Sequence, residues 1–323
     1  MKKISVIVRC FNREDTLARA LKSILQQCYS SVEVILVDDG STDDSGLVSR
    51  DFPEVIYHYQ ENRGLAGARE TGLKLATGYY IAFLDADDYW KPDYLSRSIE
   101  GIEHGGCSFV FSNWETTGPG VTHEQKLELD QISYLPEVDS GDDQGWCYLT
   151  REQTRTLFMA HQPAVPSATV FRRDCLRLGW NTKAISADDW IMILGAIVDG
   201  EVNCGFHREK RWVRWIDGKN ICEGTSDMGG RARNEIHDVG IILSEFSSKL
   251  DPAEKLRFKR MIASSSYDLG YILSRSGKGI GAFNAFLRSF GSRSLFSIGL
   301  AIAKIPVNWI RALRSRRRQR VHS

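Results

Sequence analysis

The order of apolar segments predicts an α/β fold: a mainly parallel, twisted sheet with helices on both faces, followed by a helical extension. Three observations carry this. Across the first 115 residues, short β-branched apolar runs alternate with amphipathic stretches, the pattern of buried parallel strands joined by crossover helices. Two of those runs end in clusters of aspartates, at the strand ends where such sheets bind ligands. Beyond about residue 229 the strand signals stop and helical spacing alone remains.

Taken in order, Ile4–Val8 is the first strand. A helix follows with Leu17, Leu21, Ile24 and Leu25 on one face, Asn12 as its N-cap and Asp15 three residues later. Val32–Val37 is the second strand and runs into Asp38-Asp39-Gly40-Ser41. Val55–Tyr59 is the third, and Gly64–Ala76 a helix rich in small residues. Tyr79–Leu84, the fourth, ends in Asp85-Ala86-Asp87-Asp88, and Ser108–Phe111 is the fifth. Residues 116–150 have little periodicity and predict an irregular insertion. Asp188–Val198 reads as helix and Val202–Trp215 as one or two strands. Three apolar stripes then mark the extension: Ile236, Val239, Leu243 and Phe246; Leu269, Ile272 and Leu273; Phe283, Phe286, Leu287 and Phe290.

The chain has 323 residues, a net charge of +1, 42% hydrophobic and 26% charged residues. That balance is ordinary for a globular protein and points to no class of partner. Its distribution says more. Residues 311–323 hold six arginines and no acid, and without them the balance is 36 basic to 41 acidic. A strongly basic tail therefore follows a mildly acidic body. Seven scattered cysteines with no CxxC pair argue against a zinc or disulfide framework and fit a reducing compartment. The first apolar run is too short for a signal-peptide core, so action from the cytoplasmic side is expected.

Carboxylates at a strand end can hold a hard divalent cation through oxygen ligands. Such a cation offsets the charge left on a diphosphate when its bond to a sugar breaks. Asp85 and Asp87 are two apart and share a side if the strand continues; one then reaches a ribose and the other the metal. Aspartate at a strand end is also ordinary turn chemistry, and Asp188 at a helix start also suits the helix dipole. Three acid-rich places, Asp38-Asp39, Asp85–Asp88 and Asp188-Asp189, shift the balance toward a site. Displacement at a sugar carbon needs a base for the acceptor hydroxyl; Asp189, remote in sequence from the metal pair, is the choice.

Five segments in order resemble the motifs of the family-2 glycosyltransferases, inverting enzymes with the Rossmann-like GT-A fold. They are Ser5-Val6-Ile7-Val8-Arg9-Cys10-Phe11-Asn12-Arg13, Val37-Asp38-Asp39-Gly40-Ser41-Thr42-Asp43, Asn62-Arg63-Gly64-Leu65-Ala66-Gly67-Ala68-Arg69, Phe83-Leu84-Asp85-Ala86-Asp87-Asp88 and Ala187-Asp188-Asp189-Trp190. The resemblance covers roughly residues 3–225 and is strongest in the first 95. It implies a GT-A domain over residues 1–225, with a nucleotide-binding half (1–115) and an acceptor half (116–225), then a helical extension over 226–323 ending in the basic tail. It also implies a nucleotide-sugar donor, UDP being the commonest nucleotide in the family, and a saccharide or lipid-linked acceptor in surface-polysaccharide assembly. By resemblance Phe11, Asn12, Arg13, Asp39 and Arg69 belong to the nucleotide-sugar site. Asp85 faces the ribose beside Ala86, and Asp87 holds Mn²⁺ or Mg²⁺. Asp189 is the catalytic base, with Asp188 and Trp190 beside the acceptor. Three departures stand out. Glu70 occupies a usual Asn position and Asp188 a usual Glu position. In Trp212–Gly218, which is similar to a late loop carrying a metal-approaching His, the place is taken by Ile216, leaving Asp217 or a water to substitute. Arg214 in that loop keeps a positive charge for the diphosphate.

Trp146, Trp180, Trp190, Trp212 and Trp215 fall in the acceptor half; core packing is their ordinary role, and Trp190, next to the base, is the exception. His161, before Gln162-Pro163, reads as a loop histidine. Leu295–Leu313 is apolar but broken by Lys304, Pro306, Asn308 and Arg311, short of a membrane span. With the basic residues up to 320 it reads as an interfacial helix, peripheral on the anionic inner face of the plasma membrane. Nucleic acid is not expected, since no aromatics interleave the basic tail. A sugar-1-phosphate nucleotidyltransferase would want a glycine-rich loop after the first strand. A phospho-receiver domain would want its paired acids there. A non-catalytic nucleotide-sugar-binding module would have no need of Asp85, Asp87 and Asp189 together.

Overall fold

The computed structural model describes residues 1–119, 121, 145–217, 228–290 and 295–308. The chain forms two compact units, Met1–Lys183 with Asp188–Asn220, and Ala184–Ala187 with Ile221–Ser323.

The first unit contains β1 (Ile4–Cys10), α1 (Glu14–Leu25), β2 (Val32–Asp38), a short α2 (Ser45–Val48), β3 (Val55–Tyr59), α3 (Gly64–Leu75) and β4 (Tyr80–Asp85). These follow the apolar runs closely. β5 (Tyr89–Trp90), α4 (Tyr94–Gly105), β6 (Phe109–Thr117), β7 (Trp146–Leu149), α5 (Arg151–Ala160), β8 (Thr169–Arg172), α6 (Asp188–Asp199) and β9 (Cys204–Trp215) complete it. The strand order is β3-β2-β1-β4-β8-β6-β9-β5, with β7 also on β9.

β1, β2, β3 and β4 are parallel. The second half is mixed: β8 runs antiparallel between β4 and β6, while β9 is parallel to β6 and antiparallel to β5 and β7. Val202–Trp215 is thus a single strand rather than two. The predicted insertion at 116–150 begins with the end of β6 and closes with β7; most of it lies outside the described residues.

Strand alternation explains why both faces are covered. Ile4, Val6 and Val8 join the core that includes Leu17, Leu21 and Ile24 of α1. Ile7 points the other way, toward α3, so closely that a Cβ on Gly72 would stand 2.3 Å from its Cγ2. The chain steps outward from β1 to β3, then returns past β1 to β4. The topological switch point therefore lies between β1 and β4, where open α/β sheets place their ligands.

One expectation about α1 fails. Its N-cap is Arg13, with no side-chain cap bond. Asn12 instead takes the left-handed conformation, φ 51°, which asparagine tolerates. Its Oδ1 accepts from the Thr42 N–H at 2.8 Å, and its own N–H donates to Ser41 Oγ at 3.0 Å. Asn12 thereby ties the loop after β1 to the loop after β2.

The second unit holds α7 (Met228–Phe246), α8 (Pro252–Arg275), α9 (Gly279–Arg288) and α10 (Leu295–Ala303). α8 starts on a reciprocal capping box between Asp251 and Glu254. Ala282 and Phe286 of α9 pack with Ile298, Tyr267 and Leu273. The third predicted stripe splits: Phe286 is buried, whereas Phe283, Leu287 and Phe290 are exposed. Among the described residues no helix is long and apolar enough to cross a membrane. The basic tail from 309 to 323 lies outside them.

Candidate active site

Arg9 and Asp85 are neighbours in the β1–β4 register, so the loops that follow the two strands meet at the switch point. Asp85, Asp87 and Asp88 come from the end of β4, and Asp188 and Asp189 from the first turn of α6.

Arg69 of α3 joins the two acid groups. Its buried guanidinium donates from Nη1 to Asp188 Oδ2 at 2.9 Å. From Nη2 it donates to both Asp85 oxygens, at 2.8 and 3.1 Å. The Trp180 ring lies 5.0 Å from this guanidinium, and the Trp180 N–H donates to Glu70 Oε2 at 2.9 Å. Glu70, the departure from the family pattern, thus anchors the aromatic that backs Arg69. Arg69 was expected beside the nucleotide; the structure pairs it with the two carboxylates, one of them the Asp85 expected at the ribose.

The electrostatics divide the acids. Burial works to raise the Asp85 pKa, but the Arg69 and Arg9 charges together outweigh it and hold the carboxyl below its usual range. Burial, reinforced by the Asp85 charge, pushes Asp87 up. Burial with the charges of Asp87 and Asp85 pushes Asp88 up well above its ordinary value. Burial and the Asp188 charge raise Asp189 to about 7, the range that suits a general base at neutral pH.

Asp189 is also positioned. Its Oδ1 accepts from Gln162 Nε2 and from the Trp190 N–H, both at 2.8 Å. No donor among the described residues reaches Oδ2. Asp188, expected on the acceptor, is buried against Arg69 and acts through its charge on Asp189. Trp190 is buried, and its indole N–H donates to the Phe158 carbonyl at 2.8 Å; interior packing, not an offered stacking face, is what this placement matches.

On the nucleotide side, buried Asp39 accepts at Oδ1 from Gln60 Nε2 at 2.6 Å and from the Arg63 N–H at 2.8 Å. Phe11 is half-buried in the loop after β1. Ala86 is buried, its N–H donating to the Arg9 carbonyl at 3.2 Å. Arg13 donates from Nε to Asp87 Oδ2 at 3.2 Å, with Nη2 at the same distance. Arg214 is half-buried on β9, as is Asp217 beyond it.

Among the described residues no group of three or more His, Cys, Asp or Glu is arranged to hold a metal by itself. Nucleotide-linked Mg²⁺-type sites usually take one or two carboxylates and complete the sphere with phosphates and water. Asp87 fits that role: burial first, and the Asp85 charge second, disfavour its ionised form, and a cation would relieve both. Ile216 offers no ligand: its side chain is buried and its N–H donates to the Thr117 carbonyl at 2.9 Å.

Four residues escaped the motif reading. Arg9 faces Asp85 at 3.9 Å; a charge inside a buried apolar run was its signal. Arg19 donates to the Asp87 carbonyl at 2.8 Å and lies 4.0 Å from the Trp215 ring. Gln162 had no signal beyond a polar loop. In the second unit, buried Asp238 of α7 accepts from the N–H groups of Ile185, Ser186 and Ala187 at 2.9, 2.8 and 2.9 Å, and from Ser186 Oγ at 3.0 Å. Those three residues lead directly into Asp188.

Comparison with known proteins agrees with this geometry. The family model described as glycosyl transferase family 2 matches residues 5–178. An uncharacterized glycosyltransferase of Nostoc sp. is 36% identical over 159 residues, 45% of this chain and 48% of that protein. The UDP-Glc:alpha-D-GlcNAc-diphosphoundecaprenol beta-1,3-glucosyltransferase WfaP of Escherichia coli is 38% identical over 35% of this chain and 47% of its own. The putative teichuronic acid biosynthesis glycosyltransferase TuaG of Bacillus subtilis is 33% identical over 43% and 56%. The matches span about half the length of these relatives. Among solved structures, residues 1–349 of S. aureus TarS superpose with a TM-score of 0.62 at 17% identity, covering 98% of this chain and 92% of that one. The Pyrobaculum calidifontis mannosyltransferase PcManGT, in complex with GDP-Man and Mn²⁺, gives 0.56 at 19%, covering 97% and 81%. The shared architecture is the GT-A fold with a helical extension.

Proposed function

This chain belongs to glycosyl transferase family 2, and we propose that it transfers a sugar, with inversion, from a UDP-sugar to a hydroxyl of a saccharide or lipid-linked acceptor. The observation that carries the reading is Asp189: buried, raised to about 7, one oxygen fixed and the other met by no donor among the described residues.

The donor lies across the ends of β1, β2 and β4, with Asp39 and Phe11 at the base, Asp85 toward the ribose, and Arg13 and Arg214 toward the diphosphate. The acceptor hydroxyl donates to Asp189 Oδ2. As its proton passes to that oxygen, the hydroxyl oxygen bonds to the anomeric carbon on the face opposite the diphosphate. The carbon–oxygen bond to phosphate breaks, and its electron pair leaves with the nucleoside diphosphate. Asp188, pinned by Arg69, supplies the charge that lets Asp189 accept a proton near neutrality. A Mn²⁺ or Mg²⁺ ion held by Asp87 would offset the charge of the departing diphosphate. The Mn²⁺ in the PcManGT complex supports that assignment, as the UDP-GlcNAc complex of TarS supports the donor class.

A lipid-linked acceptor is supported by the diphosphoundecaprenol in the description of WfaP, and surface-polysaccharide assembly by the description of TuaG. We infer a peripheral enzyme on the cytoplasmic, anionic face of the plasma membrane, a reading that a lipid-linked acceptor of this kind supports.

The test is nucleotide release from a panel of UDP-, GDP- and dTDP-sugars, with Mn²⁺ and with EDTA, in the wild type, Asp87→Ala and Asp189→Asn. Slow release from one UDP-sugar that EDTA and Asp87→Ala both abolish supports the assignment. Release unaffected by either would remove the metal from the mechanism. Absence of donor binding altogether would leave only a retained fold.

A further inference from the structure

The extension carries a surface that the transfer chemistry does not use. After Asp268 the chain has no acidic residue up to position 323, yet it holds nine arginines and two lysines. The first 268 residues carry 31 basic and 41 acidic side chains. A whole-chain charge of +1 therefore conceals a body of −10 and an end of +11.

The apolar side chains of α9 point two ways. Ala282, Ala285 and Phe286 are buried. Ile280, Phe283 and Leu287, continued by Phe290, are 84%, 44%, 42% and 48% exposed. At about 100° per residue the three on the helix fall within an arc of about 60°. Leu295, Leu300 and Val307 are exposed as well, and so are the cations Arg275, Lys278, Arg288 and Lys304. Beside Ile280, a groove of about 640 Å³ runs between Gly277–Gly281 and Ile305-Pro306, with Lys278 in its lining.

An apolar stripe on a cationic, acid-free stretch of chain calls for a partner with both chemistries. A second copy of the chain fits poorly, because a two-fold contact sets the patch against itself and so opposes like charges. A nucleic acid would answer the cations and leave the stripe in water. An anionic bilayer answers both: headgroups meet the guanidinium and ammonium groups, and the stripe enters the boundary with the acyl chains. We propose that α9, rather than the 295–313 stretch that hydropathy alone singles out, is the helix that seats this protein on anionic lipid. The inference rests on the membrane placement proposed above.

The test is co-sedimentation of the full chain with vesicles of phosphatidylcholine alone and of phosphatidylcholine containing about one third phosphatidylglycerol, at low and high salt. The comparison variant is Ile280→Ser/Phe283→Ser/Leu287→Ser, which changes exposed positions only; Lys278→Glu/Arg288→Glu is the second variant if the first unfolds. Expected is salt-sensitive binding to the anionic vesicles alone, weakened about tenfold or more in either variant, with unfolding temperature and donor hydrolysis kept. Equal binding by variant and wild type would overturn the role of α9 and leave the membrane placement standing. Wild type that binds neither vesicle would overturn the placement itself. Self-association that the serine variant abolishes, or displacement of the protein from vesicles by polyuridylate without loss in that variant, would assign the surface to a second copy or to nucleic acid instead.

Discussion

Replacing Asp189 with Asn should remove turnover and, above neutral pH, strengthen the fold. The geometry allows a nearly silent exchange. Both donors to Asp189 reach Oδ1, which the Asn carbonyl can keep, while the amide NH₂ replaces an oxygen that accepts from no donor among the described residues. What changes is charge. Burial and Asp188 raise the folded-state pKa from 3.8 to about 7. The folded value lies above the unfolded one, so the carboxyl favours the fold fully below about pH 4 and loses that contribution as pH rises toward 7. At about 1.4 kcal/mol per pH unit, the ionised side chain costs roughly 4 kcal/mol at pH 8 and roughly 1–2 kcal/mol at pH 5. The stability gap between Asp189→Asn and wild type should therefore widen by roughly 2–3 kcal/mol from pH 5 to pH 8, or about 5–8 °C in Tm. Thermal and urea unfolding at both pH values read the gap, and sugar transfer should fall by about 10²–10⁴. A gap that stays constant with pH would mean that Asp189 titrates as an ordinary aspartate. Turnover near wild type in the variant would remove it as the base.

Gln162→Ala deletes a hydrogen bond that favours the charged form of Asp189; the acid limb of the kcat/KM profile should move to higher pH, and an unmoved limb would refute the coupling. Asp238→Ala leaves four donors of residues 185–187 without their acceptor. Because Ile185 and Ser186 are exposed and water can replace the carboxylate, urea unfolding should show a loss of about 2 kcal/mol, with Asp238→Asn recovering part of it. Gly72→Ala drives a Cβ to 2.3 Å from Ile7 Cγ2 and should cost about 1–3 kcal/mol by overpacking; a neutral result would show that β1 and α3 can separate.

The nucleotide half was legible because strands buried on both faces leave continuous apolar runs. Ile4–Val8 and Val32–Val37 could hardly be anything else, and the acids that follow them had to lie at carboxyl ends. β5 and β8 are two and four residues long, too short for any period to emerge, so the antiparallel half of the sheet stayed hidden. Asn12 looked like a cap because a polar residue preceded an amphipathic run; the loop after β2 offered it Thr42 and Ser41 instead, and tertiary pairing won. Trp190 and Phe283 failed for the opposite reason. An aromatic beside a catalytic acid suggested an open face, and an aromatic on a helical stripe suggested a core, yet burial is decided by what packs opposite. Asp238 could not be read at all, since its donors lie more than 50 residues away in the chain.

The arrangement of charge also argues for the division of labour. Five carboxylates, Asp85, Asp87, Asp88, Asp188 and Asp189, converge with three guanidinium groups, Arg9, Arg13 and Arg69. Arg69 is shared between Asp85 and Asp188, which leaves a deficit of positive charge in the cluster. Burial, reinforced by that deficit, drives pKa values upward in two places: at Asp87 and Asp88, and at Asp189. A carboxylate whose ionised form is disfavoured can be settled by a cation or by a proton. In the proposed reaction, the first deficit lies where a diphosphate brings a divalent ion and the second where an acceptor hydroxyl gives up its proton. A fold that merely bound nucleotide would gain from neutralising both. The Asp188 charge beside Asp189, paired with a buried arginine, keeps the second deficit in place, as the proposed proton transfer requires.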